Sequence, residues 1–244
     1  MYNLHWNKVL ILALSLLFLA TAAMGQARPK GNYNYWEFRN KPFYFGLTIG
    51  MHSTGFIPSK SRQFSTSDSL SYAAGVSKPG LNLNIITNLK IGEHFDFRFI
   101  PGFAYSERRF DFNNPSAPET ERIPEVRIES VFVETPLLLR FKSAPYKDKR
   151  LFVLAGLKYS YDVASNSRTR EELAEKLMKI SPHDFQFEVG GGVQFFLPFF
   201  IFSPEIKYSQ GISNIHIYNN NLENSRILDK ILSRAFSISL HFEG

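Results

Sequence analysis

Residues 183–210, HDFQFEVGGGVQFFLPFFIFSPEIKYSQ, form two alternating runs folded back on each other around Pro198. In the first run Phe185, Phe187, Val189, Val193, Phe195 and Leu197 share one parity, against Asp184, Gln186, Glu188 and Gln194. In the second, Phe200, Phe202, Ile206 and Tyr208 oppose Ser203, Glu205 and Lys207. Successive side chains of a strand point to opposite faces, so each run has one phenylalanine-rich face and one charged face. Bulk water suits the charged face and hydrocarbon the other. The fold is decided by which solvent each face meets.

The same period of two recurs along the chain, which is a strong strand signal. FYFGLTIGMH (43–52) sets Phe43, Phe45, Leu47 and Ile49 against Tyr44, Gly46, Thr48 and Gly50. GLNLNIITNLKI (80–91) sets Leu81, Leu83, Ile85, Leu89 and Ile91 against Asn82, Asn84, Asn88 and Lys90. HFDFRFIPGFAYS (94–106) is one further run, Ser130 to Phe141 another, and LFVLAGLKYSYDV (151–163) a fifth. With the two opening runs and AFSISLHF (235–242), eight strands are expected.

The connections carry independent information. Those at Gly92-Glu93, at KSAPYKDKR (142–150) and at Pro198 are short. Those at about 51–79, 106–129, 163–183 and 211–234 are long and rich in Ser, Asn, Pro and charge. Strict alternation of short and long connections is the pattern of outer-membrane barrels, with short periplasmic turns and longer extracellular loops. The expected fold is therefore all-β, an eight-stranded antiparallel up-and-down transmembrane barrel with both chain ends on the periplasmic side. A soluble lipocalin-type barrel would alternate in the same way with its faces reversed. Three features favour the membrane. The runs approach the roughly 9–11 residues that cross a bilayer at a tilt. Phe and Tyr recur on the apolar face, as in aromatic girdles. The opposite face is small and mixed, with Gly46, Gly50, Gly156, Gly190, Gly192, Ser237 and Ser239.

Composition agrees. Twenty-four Phe and eleven Tyr favour strands, and 20% charged with 44% hydrophobic residues excludes a disordered chain. A net charge of +6 spread along the chain gives no nucleic-acid patch. Lys8, the apolar run Val9–Ala20 and the small residues of 21–27 form a secretory signal pattern, with cleavage expected after Gly25 or, second, after Ala27. The apolar run is short for a membrane-spanning helix. The expected organisation is a signal peptide over 1–25, an N-terminal periplasmic tail over 26–42 and the barrel over 43–244. The chain has no Cys, which excludes disulfides, thiolate metal sites and lipid attachment through cysteine.

Nearly every charge inside an expected strand lies on the polar parity: Asp96, Arg98, Glu134, Arg140, Lys158, Asp162, Glu188, Glu205, Lys207 and His241. An eight-stranded barrel is only wide enough inside for side chains, and buried charges must pair. An internal salt-bridge plug is expected, with a proton or ion path as the alternative. Lipid is expected against Phe185, Phe187, Phe195, Phe200, Phe202, Tyr208, Phe236 and Phe242. A lipid-modifying barrel enzyme is a competing class, since His52, His183 and His216 lie near loop ends and Ser is abundant over 53–71. No spacing defines a triad, a metal site or a phosphate loop, so no catalytic set, cofactor or metal is expected. A passive porin or adhesin barrel is a third class. REELAEKLMKISP (170–182) carries a helical signal, with Glu171 and Glu172 ahead of Lys176 and Lys179 and an apolar stripe of Leu173, Leu177 and Ile180. A lid on the rim or a partner-docking helix is expected there.

Four strings go further: ESVFVETPLLLRFKS (129–143), LKYSYDVASN (157–166), FFIFSPEIKYSQGISN (199–214) and NNLENSRILDKILSRAFSISLHFEG (220–244). Together the chain resembles the PorT family of the type IX secretion system, most specifically in FSPEIKYSQG and the terminal SLHFEG. That resemblance implies a non-enzymatic outer-membrane accessory of protein secretion, supporting export of cargo proteins and, where present, gliding motility. Its implied partners are other secretion-system subunits and outer-membrane lipid, with no nucleic acid and no small-molecule substrate. It supplies no catalytic residues.

Overall fold

The computed structural model describes residues 34–60, 72–113, 126–166, 179–218 and 228–244. The expected signal peptide (1–25) and residues 26–33 lie outside the described residues. A short helix, α1 (Tyr35–Arg39), precedes the strands β1 (Phe43–Lys60), β2 (Tyr72–Ile91), β3 (Phe95–Phe99), β4 (Gly102–Asn113), β5 (Val126–Lys142) and β6 (Lys149–Asp162). A 3-10 turn (Val163–Asn166) follows, then β7 (Lys179–Ile180), β8 (His183–Phe196), β9 (Ile201–Gly211), β10 (His216–Ile217) and β11 (Leu228–Glu243).

Eight staves close into a ring in which every pairing is antiparallel. β1 pairs with both β2 and β11, and each remaining stave pairs with its neighbours in chain order. The third stave is β3 and β4 together, one run interrupted at Ile100-Pro101. Pro101 has no amide hydrogen to give the ladder. Its carbonyl still accepts the Ile85 amide (2.8 Å), and the Ile100 amide donates to the Pro136 carbonyl (3.2 Å), so the register on β2 and β5 continues across the break.

The ring's stagger follows from the pairings. Tyr44 leads through Asn88, Arg98, Leu138, Gly156, Glu188, Ser209 and Ala235 back to β1 at Thr54, ten residues beyond the start. At strand spacing near 4.8 Å and a rise near 3.3 Å, that stagger over eight strands tilts them by about 40°, the range of membrane barrels.

The outer face carries a continuous apolar belt. On β1 it runs from Phe43 to Met51, and it passes round the ring through Leu81, Phe103, Leu137, Leu157, Phe187, Ile206 and Ile238, all exposed. From Phe43 to Met51 is about 27 Å along the strand, or roughly 20 Å of height at that tilt, close to the ~25 Å apolar band of outer-membrane barrels. Aromatic rings mark its turn-side edge, with Phe95 and Phe141 5.2 Å apart and Phe202 and Phe242 5.6 Å apart. Tyr105, Tyr159, Tyr161 and Tyr208 mark the loop-side edge.

Three expectations change. The long connections are shorter than the alternation suggests, because β1, β2, β4, β5 and β11 continue past the belt and leave gaps at 61–71, 114–125 and 212–227. Beyond the belt no hydrocarbon selects apolar outward side chains, and the inward parity takes apolar Phe56 and Ile231, both buried. Backbone pairing therefore continues without the apolar-outside, polar-inside pattern that would reveal it. The tail expected over 26–42 is no tail over 34–42: α1 folds across the turn-side mouth. Within the helical signal at 170–182, Lys179 and Ile180 are strand, paired with Ile217 and His216; 167–178 lie outside the described residues. The β7–β10 ladder adds height above the short staves β6, β8 and β9, where the Ser181 amide donates to Ile215 (2.8 Å) and the Ile215 amide to Ile231 (3.1 Å).

Candidate functional site in the barrel interior

The inward parity of every stave delivers its side chains to one narrow space, which is filled in layers from the turn side upward. α1 forms the floor. Five residues with no side-chain cap are too few to hold a helix alone, so tertiary contacts must hold it. Tyr35 and Phe38 are buried with Phe196 and Ile201, and the Tyr35 and Phe196 rings meet edge to face at 5.1 Å. Asn34 donates to the Phe196 carbonyl (3.1 Å), the Tyr35 amide to Asp148 (3.3 Å), and the Lys90 ammonium to the Phe38 carbonyl.

Above the floor lies the ionic network. Arg140 donates to Asp96 through Nη2 (2.5 Å) and Nε (3.1 Å), and Lys142 holds the other Asp96 oxygen. Arg140 also reaches Tyr44, Asn88 (3.2 Å) and Glu243 (3.6 Å). Arg98 joins Glu243 (2.9 Å) to Glu205 (3.4 Å). Glu205 meets His241 Nε2 (3.1 Å), whose Nδ1 is bonded to Thr48 (2.6 Å). Lys207 links Glu205 (3.8 Å) to Glu188 (3.3 Å), and Lys158 links Glu188 (3.2 Å) to Glu134 (3.0 Å). The result is one connected path that touches all eight staves. Five carboxylates (Asp96, Glu134, Glu188, Glu205, Glu243) face five Arg or Lys side chains (Arg98, Arg140, Lys142, Lys158, Lys207), with His241 bridging.

Nine of the ten interior residues named from sequence meet in this path. The tenth, Asp162, is buried at the loop end of β6 and accepts the Ala164 amide (3.1 Å), so it caps the 3-10 turn. Lys142 and Glu243 were missed. Both have the inward parity, but they sit at the last turns of their strands, beyond the apolar runs that drew attention. An apolar layer was missed as well: Ile86, Ile100, Leu138, Phe152 and Leu154 pack together on the wall made by β2 to β6. Arg140 lies over the Phe152 ring at 5.1 Å, joining the two layers. Phe185, Phe187, Phe195, Phe200, Phe202, Tyr208, Phe236 and Phe242 all have the outward parity of the belt.

Above the network a second polar group lines a cavity of about 40 Å³. There Asp184 accepts from Gln186 (2.6 Å) and Ser233, and Ser209 donates to Glu188 (2.7 Å). His52 Nε2 is bonded to Ser106 Oγ at 2.7 Å, the pairing a nucleophile and its base adopt. Both are buried, and a space of this size takes a few waters, not an acyl chain. His183 instead stands on the outer face, bonded to the Tyr159 hydroxyl (2.7 Å), and His216 lies in β10.

A closed antiparallel ring with an apolar belt outside and a paired ionic core inside defines an integral outer-membrane β-barrel. The chain belongs to the outer membrane protein beta-barrel domain family, which it matches over residues 24–216. Solved structures of similar fold include the outer membrane protein OprG from Pseudomonas aeruginosa, with TM-score 0.49, 10% identity and coverage of 83% of this chain and 95% of that one. Neisserial surface protein A gives TM-score 0.40 and 13% identity, covering 83% and 97%. Ail, the attachment invasion locus protein of Yersinia pestis, gives 0.35 and 11%, covering 84% and 100%. No curated protein matches the chain.

Proposed function

We propose that this barrel is a non-enzymatic component of the type IX protein secretion machinery, acting by assembly or scaffolding with other subunits of that machine. The resemblance of FSPEIKYSQG, which spans most of β9, and of the terminal SLHFEG in β11 to the PorT family supports the choice of machine. The filled interior supports a scaffold over a conduit. Charges that pair across the bore support a sealed interior, and the cavity of about 40 Å³ beside the buried Ser106–His52 pair is small for a lipid substrate. The turn side, with α1 and both described chain ends, faces the periplasm, and the tall β1, β2, β4, β5 and β11 wall faces outward. Deleting the gene tests this. Secreted cargo should accumulate in the periplasm, and normal secretion in the deletion strain would overturn the proposal. Altered lipid A would point to an enzyme, altered solute uptake to a porin.

A further inference from the structure

The turn-side mouth carries a charge imbalance that the balanced core above it does not relieve. Between α1 and the first ionic layer lies a cavity of about 200 Å³, lined by Arg39, Lys90, Lys142 and Arg150 with Glu93 as its one carboxylate. Glu93 is held by Arg39 at 2.6 Å, and Lys142 is held by Asp96 from behind. Lys90 and Arg150 have no carboxylate within ion-pair distance among the described residues. Lys90 donates to the Phe38 carbonyl. Arg150 donates to the Ser143 carbonyl (2.6 Å) and to the Glu93 carbonyl. Those carbonyls, and the Tyr44 and Tyr35 rings 5.3 and 5.7 Å from the two cations, carry no net charge. The Asp96 carboxylate, which acts on both from beyond ion-pair distance, is already shared by Arg140 and Lys142.

The other carboxylates of the mouth are engaged or turned away. Asp148 accepts the Tyr35 amide, and Glu37 is exposed on α1. The chain leading into α1 cannot supply one, because residues 1–36 contain neither Asp nor Glu. A half-enclosed cavity with two cations that no carboxylate pairs directly, one of them a guanidinium, suits a tetrahedral oxyanion. The space also holds part of such an anion's water shell.

We propose that this cavity binds a phosphate group, with Arg150 and Lys90 as its direct partners and Arg39 at its entrance. The phosphate comes either from free inorganic phosphate or from a phospholipid headgroup at the adjoining leaflet. The full-length mature chain, folded in a neutral detergent, is titrated with inorganic phosphate by calorimetry and by thermal melting, against chloride of equal ionic strength. Native mass spectrometry with phosphatidylglycerol and with diacylglycerol as the phosphate-free control covers the second source. The expected result is saturable binding to one source, raised melting temperature with that ligand, and affinity lower by about tenfold or more in Arg150→Gln, the worth of one charge-assisted hydrogen bond. Lys90→Gln should weaken binding in the same direction and stands in if Arg150→Gln does not fold. Phosphate binding with no lipid retention assigns the free ion, and the reverse assigns the headgroup. Binding of neither beyond its control, or binding unchanged in the folded variants, overturns the proposal.

Discussion

Replacing Arg140 by Met tests whether the interior is dry and paired. Arg140 is fully buried and holds Asp96 at 2.5 Å, Asn88 at 3.2 Å and Glu243 at 3.6 Å. Met keeps much of the length and removes the charge. Asp96 is then left to Lys142, and Glu243 to Arg98. Removing one partner of a buried ion pair costs about 3–5 kcal/mol, a large share of a total stability of roughly 5–15 kcal/mol. The internal control is Arg39→Met at the mouth, whose pair with Glu93 is 42% and 64% exposed. An exposed pair of that kind is worth about 1 kcal/mol at most. The two variants are unfolded by urea from phospholipid vesicles, with the folded fraction read from electrophoretic mobility without heating. With an m-value of ~2–3 kcal/mol/M, Arg140→Met should lower the midpoint by about 1 M or more and Arg39→Met by a few tenths. Equal shifts would refute the dry interior, since only water reaching Asp96 and Glu243 could screen the loss. Replacing the cluster together, Asp96→Leu with Arg140→Met and Lys142→Met, should recover much of the stability, because no carboxylate stays buried without its cation.

Other outcomes follow from the same geometry. Ile85→Arg, at mid-belt on β2, should cost about 2–4 kcal/mol in vesicles, and Tyr105→Arg at the loop-side edge about 0–1, by the same urea assay. Equal costs would remove the bilayer from the belt. Gly156→Ala should cost about 1–3 kcal/mol by overpacking, since its Cβ would stand 2.1 Å from the Leu137 carbonyl oxygen and 2.8 Å from the Leu138 Cα. Planar bilayers holding the unaltered barrel should show no steady conductance, and a stable open level would contradict the ionic plug. Burial lowers the pKa of His216, in the loop-side ladder, below its ordinary value, with Asp229 opposing. A depressed imidazole stays neutral in the folded ladder while the unfolded chain takes a proton. The ladder should therefore lose stability as pH falls through about 6.5, which amide exchange at Ile215 and Ile217 would report.

The strands were legible because the membrane makes period two unusually clean: Phe185, Phe187 and Val189 cannot share a face with Glu188 when one side is hydrocarbon. The same rule carried Glu188, Glu205 and Lys207 inward without any contact being known. It failed where only one half of the rule applied. Phe152 and Leu154 have the inward parity, yet they are apolar, so an all-polar interior hid the layer they form with Ile86 and Leu138. The upper reaches of β1 and β11 were invisible because the parity changes character there, with apolar Phe56 and Ile231 buried on the inward side. α1 was illegible for another reason: Tyr35 and Phe38 become helical through Phe196 and Ile201, far away in sequence, not through a local cap.

A charged core is an expensive way to fill a barrel, since apolar residues of similar volume are often as stabilising as a buried ion pair. Its connectivity suggests what it contributes. Staves in lipid are joined to their neighbours by backbone ladders alone, and hydrocarbon outside gives no preference among alternative registers of equal parity. Interior pairs do. A two-residue slip of β9 would keep Phe202, Ile206 and Tyr208 outward, but it would carry Glu205 away from Arg98 and His241, and Lys207 away from Glu188. A slip of β11 would strand Glu243 from both arginines. Each such slip preserves the belt and leaves buried charges unpaired, so the network penalises the errors that lipid cannot detect. Because the path runs through all eight staves, an error in any one is felt in a shared core. A barrel built to a single register presents fixed surfaces at both ends, as the proposed scaffold role would require.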